Sequence, residues 1–121
     1  METPKIFESE YHFCEILWEN EPVNSTELVR LCKEKLGWSK ATTYTVIRRL
    51  ADRGAVKNEN AVVTSLVSRE EVQASEIEEL VQKRFRGSLP AFISAFARHE
   101  KLSESDIDEL EKMISDYRKG K

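Results

Sequence analysis

The sequence predicts a mainly α-helical chain: an N-terminal winged helix-turn-helix, with three helices and a short β-hairpin wing, followed by a C-terminal helical dimerisation region. Three observations predict it. Two amphipathic helical patterns are joined by a short turn at Gly37; a β-branched run follows Gly54; and helical periodicity returns after Ser68 and persists to the end. The division falls at residues 1–68 and 69–121.

The first helix spans about Glu8 to Asn20, with Tyr11, Cys14, Leu17 and Trp18 at helical spacing, and Glu21-Pro22 stops it. Asn24 starts the second, answered by Glu27 as in a capping box, and Leu28, Cys32 and Leu36 mark its buried stripe. Gly37 ends it. Ser39 is the natural N-cap of a third helix reaching about Arg53, with Thr43, Val46, Ile47 and Leu50 inward. After Gly54, the segments 55–57 and 61–67 flank the polar tip Asn58-Glu59-Asn60, which reads as a hairpin. Three further helices are expected at about Arg69 to Phe85, Pro90 to His99 and Glu104 to Arg118, with Ser103 and Asp106 forming a second capping box.

These last helices each carry an apolar stripe yet are too few and short to enclose a core of their own. Burial against the same helices of a second copy is the economical solution, with Leu80, Phe85, Leu89, Phe92, Ile93, Phe96, Ile107, Leu110, Ile114 and Tyr117 as the expected interface. Such a homodimer has two-fold symmetry, which matches a palindromic duplex.

At 121 residues, with 34% charged and 40% hydrophobic content, the composition is that of a globular protein with no room for a large catalytic cleft. No apolar run is long enough to span a bilayer and the first residues lack a secretory pattern, so a cytoplasmic location is expected. Cys14 and Cys32 sit in helical patterns without ligand-spaced partners and read as core residues; neither a metal nor a cofactor is expected. The net charge of −3 conceals a local excess: between Gly37 and Lys57 stand Lys40, Arg48, Arg49, Arg53 and Lys57 against Asp52 alone, a local +4. Phosphates respond to that local field rather than to the total.

The outward face of the third helix presents Lys40, Ala41, Thr42, Tyr44, Thr45 and Arg48. Lysine and arginine suit phosphates or guanine edges, threonine offers a hydroxyl or a methyl, and alanine permits close approach to the groove. A solvated helix face could carry the same residues. Position after a helix-turn and before a hairpin favours double-stranded DNA as the partner.

The run Phe7-Glu8-Ser9-Glu10-Tyr11 leading to Ile16-Leu17-Trp18, the stretch from Gly37-Trp38-Ser39 through Arg48-Arg49-Leu50, and Arg53-Gly54 together resemble the penicillinase repressor family, the BlaI/MecI type of winged-helix regulator. Val67-Ser68-Arg69-Glu70-Glu71, Phe85-Arg86-Gly87-Ser88 and Leu102-Ser103 extend the likeness past the wing, so it covers nearly the whole chain. The resemblance implies a homodimeric repressor on a palindromic operator, controlling β-lactamase or related resistance genes and relieved by proteolysis through a membrane-bound sensor protease. Carried onto matching positions, it makes the Trp38-Ser39 entry, Thr42, Thr45, Arg49 and Leu50 part of a recognition-helix pattern, with Thr42 and Thr45 the foremost operator contacts. Tyr44 departs, standing where relatives often have arginine, which implies a different operator. The wing also departs, being shorter and without a basic tip, and leaves Lys57 as its evident cation. The scission point implied by the resemblance aligns with Ala95-Phe96, where Phe96 fits the family pattern and Ala95 does not. The paired Cys-x-Cys motifs of the copper-sensing branch are absent from the sequence.

Two rivals are weaker. An enzyme would need an oriented base, but His12 and Cys14, two apart on a helix, point to different sides and no phosphate loop occurs. The alternative of a winged-helix protein-interaction adaptor suits the acidic total and would be insensitive to salt.

Overall fold

The computed structural model describes residues 2–120. Its elements run α1 (Glu8–Asn20), β1 (Val23–Asn24), α2 (Ser25–Leu36), α3 (Lys40–Asp52), β2 (Val56–Glu59), β3 (Val62–Ser65), α4 (Arg69–Phe85), α5 (Leu89–His99) and α6 (Glu104–Lys119). This is the expected three-helix, hairpin, three-helix order. The chain forms two compact units, one ending at Ile77 and the other beginning at Glu78. The sequence places the division at 68/69; the first turn of α4 packs with the winged helix, Val72 being buried in its core.

In the first unit Phe13, Leu17, Leu28, Leu50, Val56 and Val63 are almost wholly enclosed, drawn from each of α1–α3 and from both hairpin strands. The inward face of α1 is Phe13, Cys14, Ile16 and Leu17, whereas Tyr11 and Trp18 are half-buried at its margin. Phe13 lies parallel to Trp38 with 6.1 Å between ring centroids, which seats the turn between α2 and α3. That turn depends on Gly37, whose φ of +72° closes α2 in a conformation that costs a side-chain-bearing residue.

Caps set the helix starts. Ser39 Oγ accepts the Thr42 N–H at 3.1 Å and so fixes the start of α3. Asn24 Oδ1 caps α2 by accepting from Thr26 N at 2.9 Å, but the capping box expected with Glu27 does not form. Glu27 is taken instead by Arg30, one turn along, at 2.6 Å. Ser103 Oγ caps α6 through Asp106 N at 3.0 Å. A reciprocal box occurs at α4, where Ser68 N donates to Glu71 Oε1 at 2.8 Å and Glu71 N to Ser68 Oγ at 3.0 Å.

The wing is a two-residue hairpin in which Glu59 faces Val62 across Asn60-Ala61. Both turn residues have positive φ, 53° and 65°, the pattern of a type I′ turn. A third strand, β1, pairs antiparallel with β3 through Val23–Val63 and Asn24–Val62, giving the order β1-β3-β2. Two residues are too few to show periodicity, which is why the sequence carries no sign of β1.

In the second unit Ser88 Oγ caps α5 through Ala91 N at 3.1 Å, and Phe85 meets Phe92 edge to face at 5.5 Å. Helix α5 begins at Leu89, one residue before the sequence placed it. No residue of α5 or α6 is buried. Leu80, Leu89, Ile93, Phe96, Ile107, Ile114 and Tyr117 are each exposed, while Phe85, Phe92 and Leu110 are half-buried.

Candidate nucleic-acid interface

Helical geometry sorts the side chains of α3. Thr43, Val46, Ile47 and Leu50 are buried, which turns the opposite face outward. Ser39, Lys40, Ala41, Thr42, Arg48 and Arg49 are exposed and Thr45 is half-buried among them. Thr45 stands three or four positions from each of Ala41, Thr42, Arg48 and Arg49, so the five line one stripe with a small, hydroxyl-bearing start and a cationic end. Among the described residues no carboxylate pairs with Lys40, Arg48 or Arg49. An unpaired guanidinium on a helix face is free to meet a phosphate or a guanine edge without first breaking a bond.

The cap also orients the first contact residue. Ser39 Oγ lies 3.0 Å from Thr42 Oγ1 while accepting from Thr42 N, so the threonine side chain is held in one rotamer. Thr43 is turned inward and returns its hydroxyl to Ser39 O at 3.1 Å.

Two residues behave differently from the sequence expectation. Tyr44, expected on the outward face, is half-buried and packs against the core, with its hydroxyl donating to Ser25 Oγ at 3.1 Å. Ser25 in turn donates its N–H to Ala61 O at 2.7 Å, linking α3, the start of α2 and the wing turn. Ser25 is buried and drew no attention in the sequence, where a serine at a helix start reads as a cap. Arg53, counted in the cationic excess, is withdrawn from solution: it pairs with Glu10, donates to Lys5 O at 2.8 Å and lies 5.2 Å from the Phe7 ring centroid. The field available to a phosphate therefore comes from Lys40, Arg48 and Arg49, with Lys57 3.4 Å from Glu59 on the wing and partly neutralised there.

Away from α3, one region of this unit gathers acidic groups. An open cleft of about 550 Å³ where α1 ends and α4 begins places Glu19, Glu21 and Glu70 around Arg69. On α2, Arg30 is held by Glu27 and Glu34, and that bond pulls the Glu27 carboxyl below its ordinary range. Burial pushes the Cys14 thiol up to about 12 and the Cys32 thiol to about 11, so neither is a thiolate at neutral pH. Among the described residues no group of three or more His, Cys, Asp or Glu could hold a metal ion, and no helix is long and apolar enough to cross a membrane.

Three packed helices, a hairpin wing, and an unpaired cationic stripe on the third helix define a winged helix-turn-helix protein. Its sequence matches the profile of the penicillinase repressor family over residues 6–116, and the chain belongs to that family, which is one of repressors and not of enzymes. It is similar to the penicillinase repressor of Bacillus licheniformis, 20% identical over 122 residues that cover 98% of this chain and 95% of the relative. The methicillin resistance regulatory protein MecI of Staphylococcus aureus is 24% identical over 117 residues, 93% of this chain and 95% of that protein. The fold is shared with the solution structure of the monomeric form of Bacillus licheniformis BlaI in complex with the blaP half-operator. That structure has a TM-score of 0.51 and 24% identity, and covers 59% of this chain and 93% of the solved one.

Proposed function

We propose that this protein is a cytoplasmic, sequence-specific DNA-binding repressor that acts as a homodimer on a palindromic operator. Helix α3 enters the major groove. The observation that carries the reading is the outward stripe of Ala41, Thr42, Thr45, Arg48 and Arg49, whose cations have no acidic partner among the described residues although the chain as a whole is acidic. Thr42 and Thr45 meet base edges, Lys40 and Arg49 meet phosphates, and Arg48 reaches either. Ser39 contributes through its cap, and Lys57 adds a weak phosphate contact from the wing. Tyr44 reads no base directly.

Dimerisation is supported by the uncovered apolar residues of the second unit, from Leu80 to Tyr117, which a second copy would bury. The regulated genes are of the β-lactamase or antibiotic-resistance kind, in keeping with the names of the relatives. A membrane-bound sensor protease relieves repression by cutting Ala95–Phe96 in α5, which would divide the dimer surface and release two half-sites from their common support.

The test is selection of bound sequences from random duplex DNA at low salt, followed by titration of the winner with salt. A palindrome with fixed half-site spacing and a steep loss of affinity with salt are expected. Recovery of no preferred duplex, with binding indifferent to salt, would remove the repressor reading in favour of an adaptor.

A further inference from the structure

The wing is mounted on α3. The Tyr44 hydroxyl donates to Ser25 Oγ at 3.1 Å, and Ser25 N donates to Ala61 O in the wing turn at 2.7 Å. β1 adds a second tie, since its pairing with β3 joins the segment before α2 to the returning strand of the wing. Val56 and Val63, one from each wing strand, are buried in the same core as Val46 and Leu50 of α3. A duplex held by α3 therefore lies in the field of a wing that is fixed in place beside it. On β2, Lys57 and Glu59 are two apart and so share a face of the strand. Lys57 Nζ lies 3.4 Å from the Glu59 carboxylate, with side chains 50% and 72% exposed. They are the one cation and the one carboxylate of the hairpin from Val56 to Ser65, whose charge sums to zero. Glutamate is a poor strand former, an exposed pair of this kind adds little stability, and Val62 opposite Glu59 is itself 40% exposed, so Glu59 shields no core.

We infer that Glu59 limits the sequence-independent part of duplex affinity by holding Lys57, the cation of the wing, away from phosphate, and so leaves discrimination to α3. This rests on the DNA-binding reading above. A cation gains affinity by displacing the counterions condensed on the duplex, and it does so in proportion to the net charge it brings. Lys57 paired with Glu59 brings none, and a phosphate approaching the lysine meets the carboxylate as well. The phosphate contacts then fall to Lys40, Arg48 and Arg49, which have no acidic partner among the described residues and sit on or beside the stripe that faces the bases. Non-specific binding consists almost wholly of this electrostatic contribution, so a silent wing weakens the grip on unselected DNA without touching the groove-facing side chains.

The experiment uses the full chain with Glu59→Gln, which keeps the shape and removes the charge, and the double variant Glu59→Gln with Lys57→Gln. Each is titrated against a mixed-sequence duplex and against the duplex obtained by selection, from about 50 to about 200 mM salt. Glu59→Gln should bind both duplexes about fivefold more tightly at the low-salt end and steepen the log–log salt dependence by about one for each wing bound. The double variant, with no cation to release, should gain nothing over the parent. Equal affinity and slope for Glu59→Gln and the parent overturn the inference. So does a double variant that gains as much as Glu59→Gln, because the carboxylate then acts by its own repulsion and not by holding Lys57. Should the glutamine unsettle the hairpin, Glu59→Thr, a residue suited to a strand, decides between these outcomes. If Arg48→Ala weakens binding while Glu59→Gln changes nothing, the repressor reading stands and this inference alone falls; a parent whose duplex binding ignores salt removes both.

Discussion

Replacing Arg53 with methionine removes the charge that balances Glu10, whose side chain is only 7% exposed, while keeping much of the apolar stem. Left behind are a buried carboxylate with one remaining bond, from Phe7 N at 2.9 Å, and an unmatched carbonyl at Lys5. Breaking one side of a buried pair costs about 3–5 kcal/mol, and because Arg53 retains 29% exposure the lower end applies, about 3 kcal/mol. Against a total stability of about 5–15 kcal/mol this is a large fraction. At a urea dependence of about 1.5 kcal/mol per molar, the unfolding midpoint should fall by about 2 M. The double variant Glu10→Leu with Arg53→Met should recover most of the loss, since a well-packed apolar pair often matches a buried ionic one. The salt dependence of DNA binding should not change, because Arg53 faces α1 and the N-terminal segment. A midpoint for Arg53→Met within about 0.3 M of the parent would refute the assignment of Arg53 to the core.

Arg48→Ala should leave the urea midpoint in place and weaken binding to the selected duplex by about 1–3 kcal/mol if it reaches a base, or flatten the salt slope by about one if it meets phosphate. Unaltered titrations would remove it from the interface. Ala61→Gly should stabilise the protein by about 0.5–1 kcal/mol, because the turn holds Ala61 at a φ of 65° that glycine adopts freely, and a thermal midpoint that fails to rise would contradict it. The thiol of Cys14, raised by burial from near 9.0 to about 12, binds its proton more tightly folded than unfolded. Its contribution to stability is complete below about pH 9 and disappears as pH climbs toward 12, and Cys14→Ala should flatten that part of the stability profile measured by denaturation.

Much of the fold was legible locally. The helix starts at Ser39 and Ser103 follow from their cap residues, the end of α2 from the glycine at position 37, and the inward stripe of α3 from a spacing of three and four. The wing was visible as a change of period. The outward stripe of α3 was legible for the same reason, since a helix that buries one face must expose the other. The Asn24–Glu27 box was misread because Arg30, one turn along, offers Glu27 an ionic partner in place of a backbone N–H.

The sequence by itself determined which segments coil, where they begin and which face of each is apolar, because those properties depend on neighbours within a turn or two of the chain. Only the tertiary structure decided the use made of identical side chains. Arg48 and Arg53 look alike in sequence, yet one is exposed and the other is spent on Glu10, 43 positions away. Tyr44 was drawn to Ser25, β1 was created by pairing with β3, and the Val67 carbonyl was tied to Trp18 across 49 positions. A charge or a hydroxyl finds its partner through the packed core, and distance along the chain carries no record of that choice.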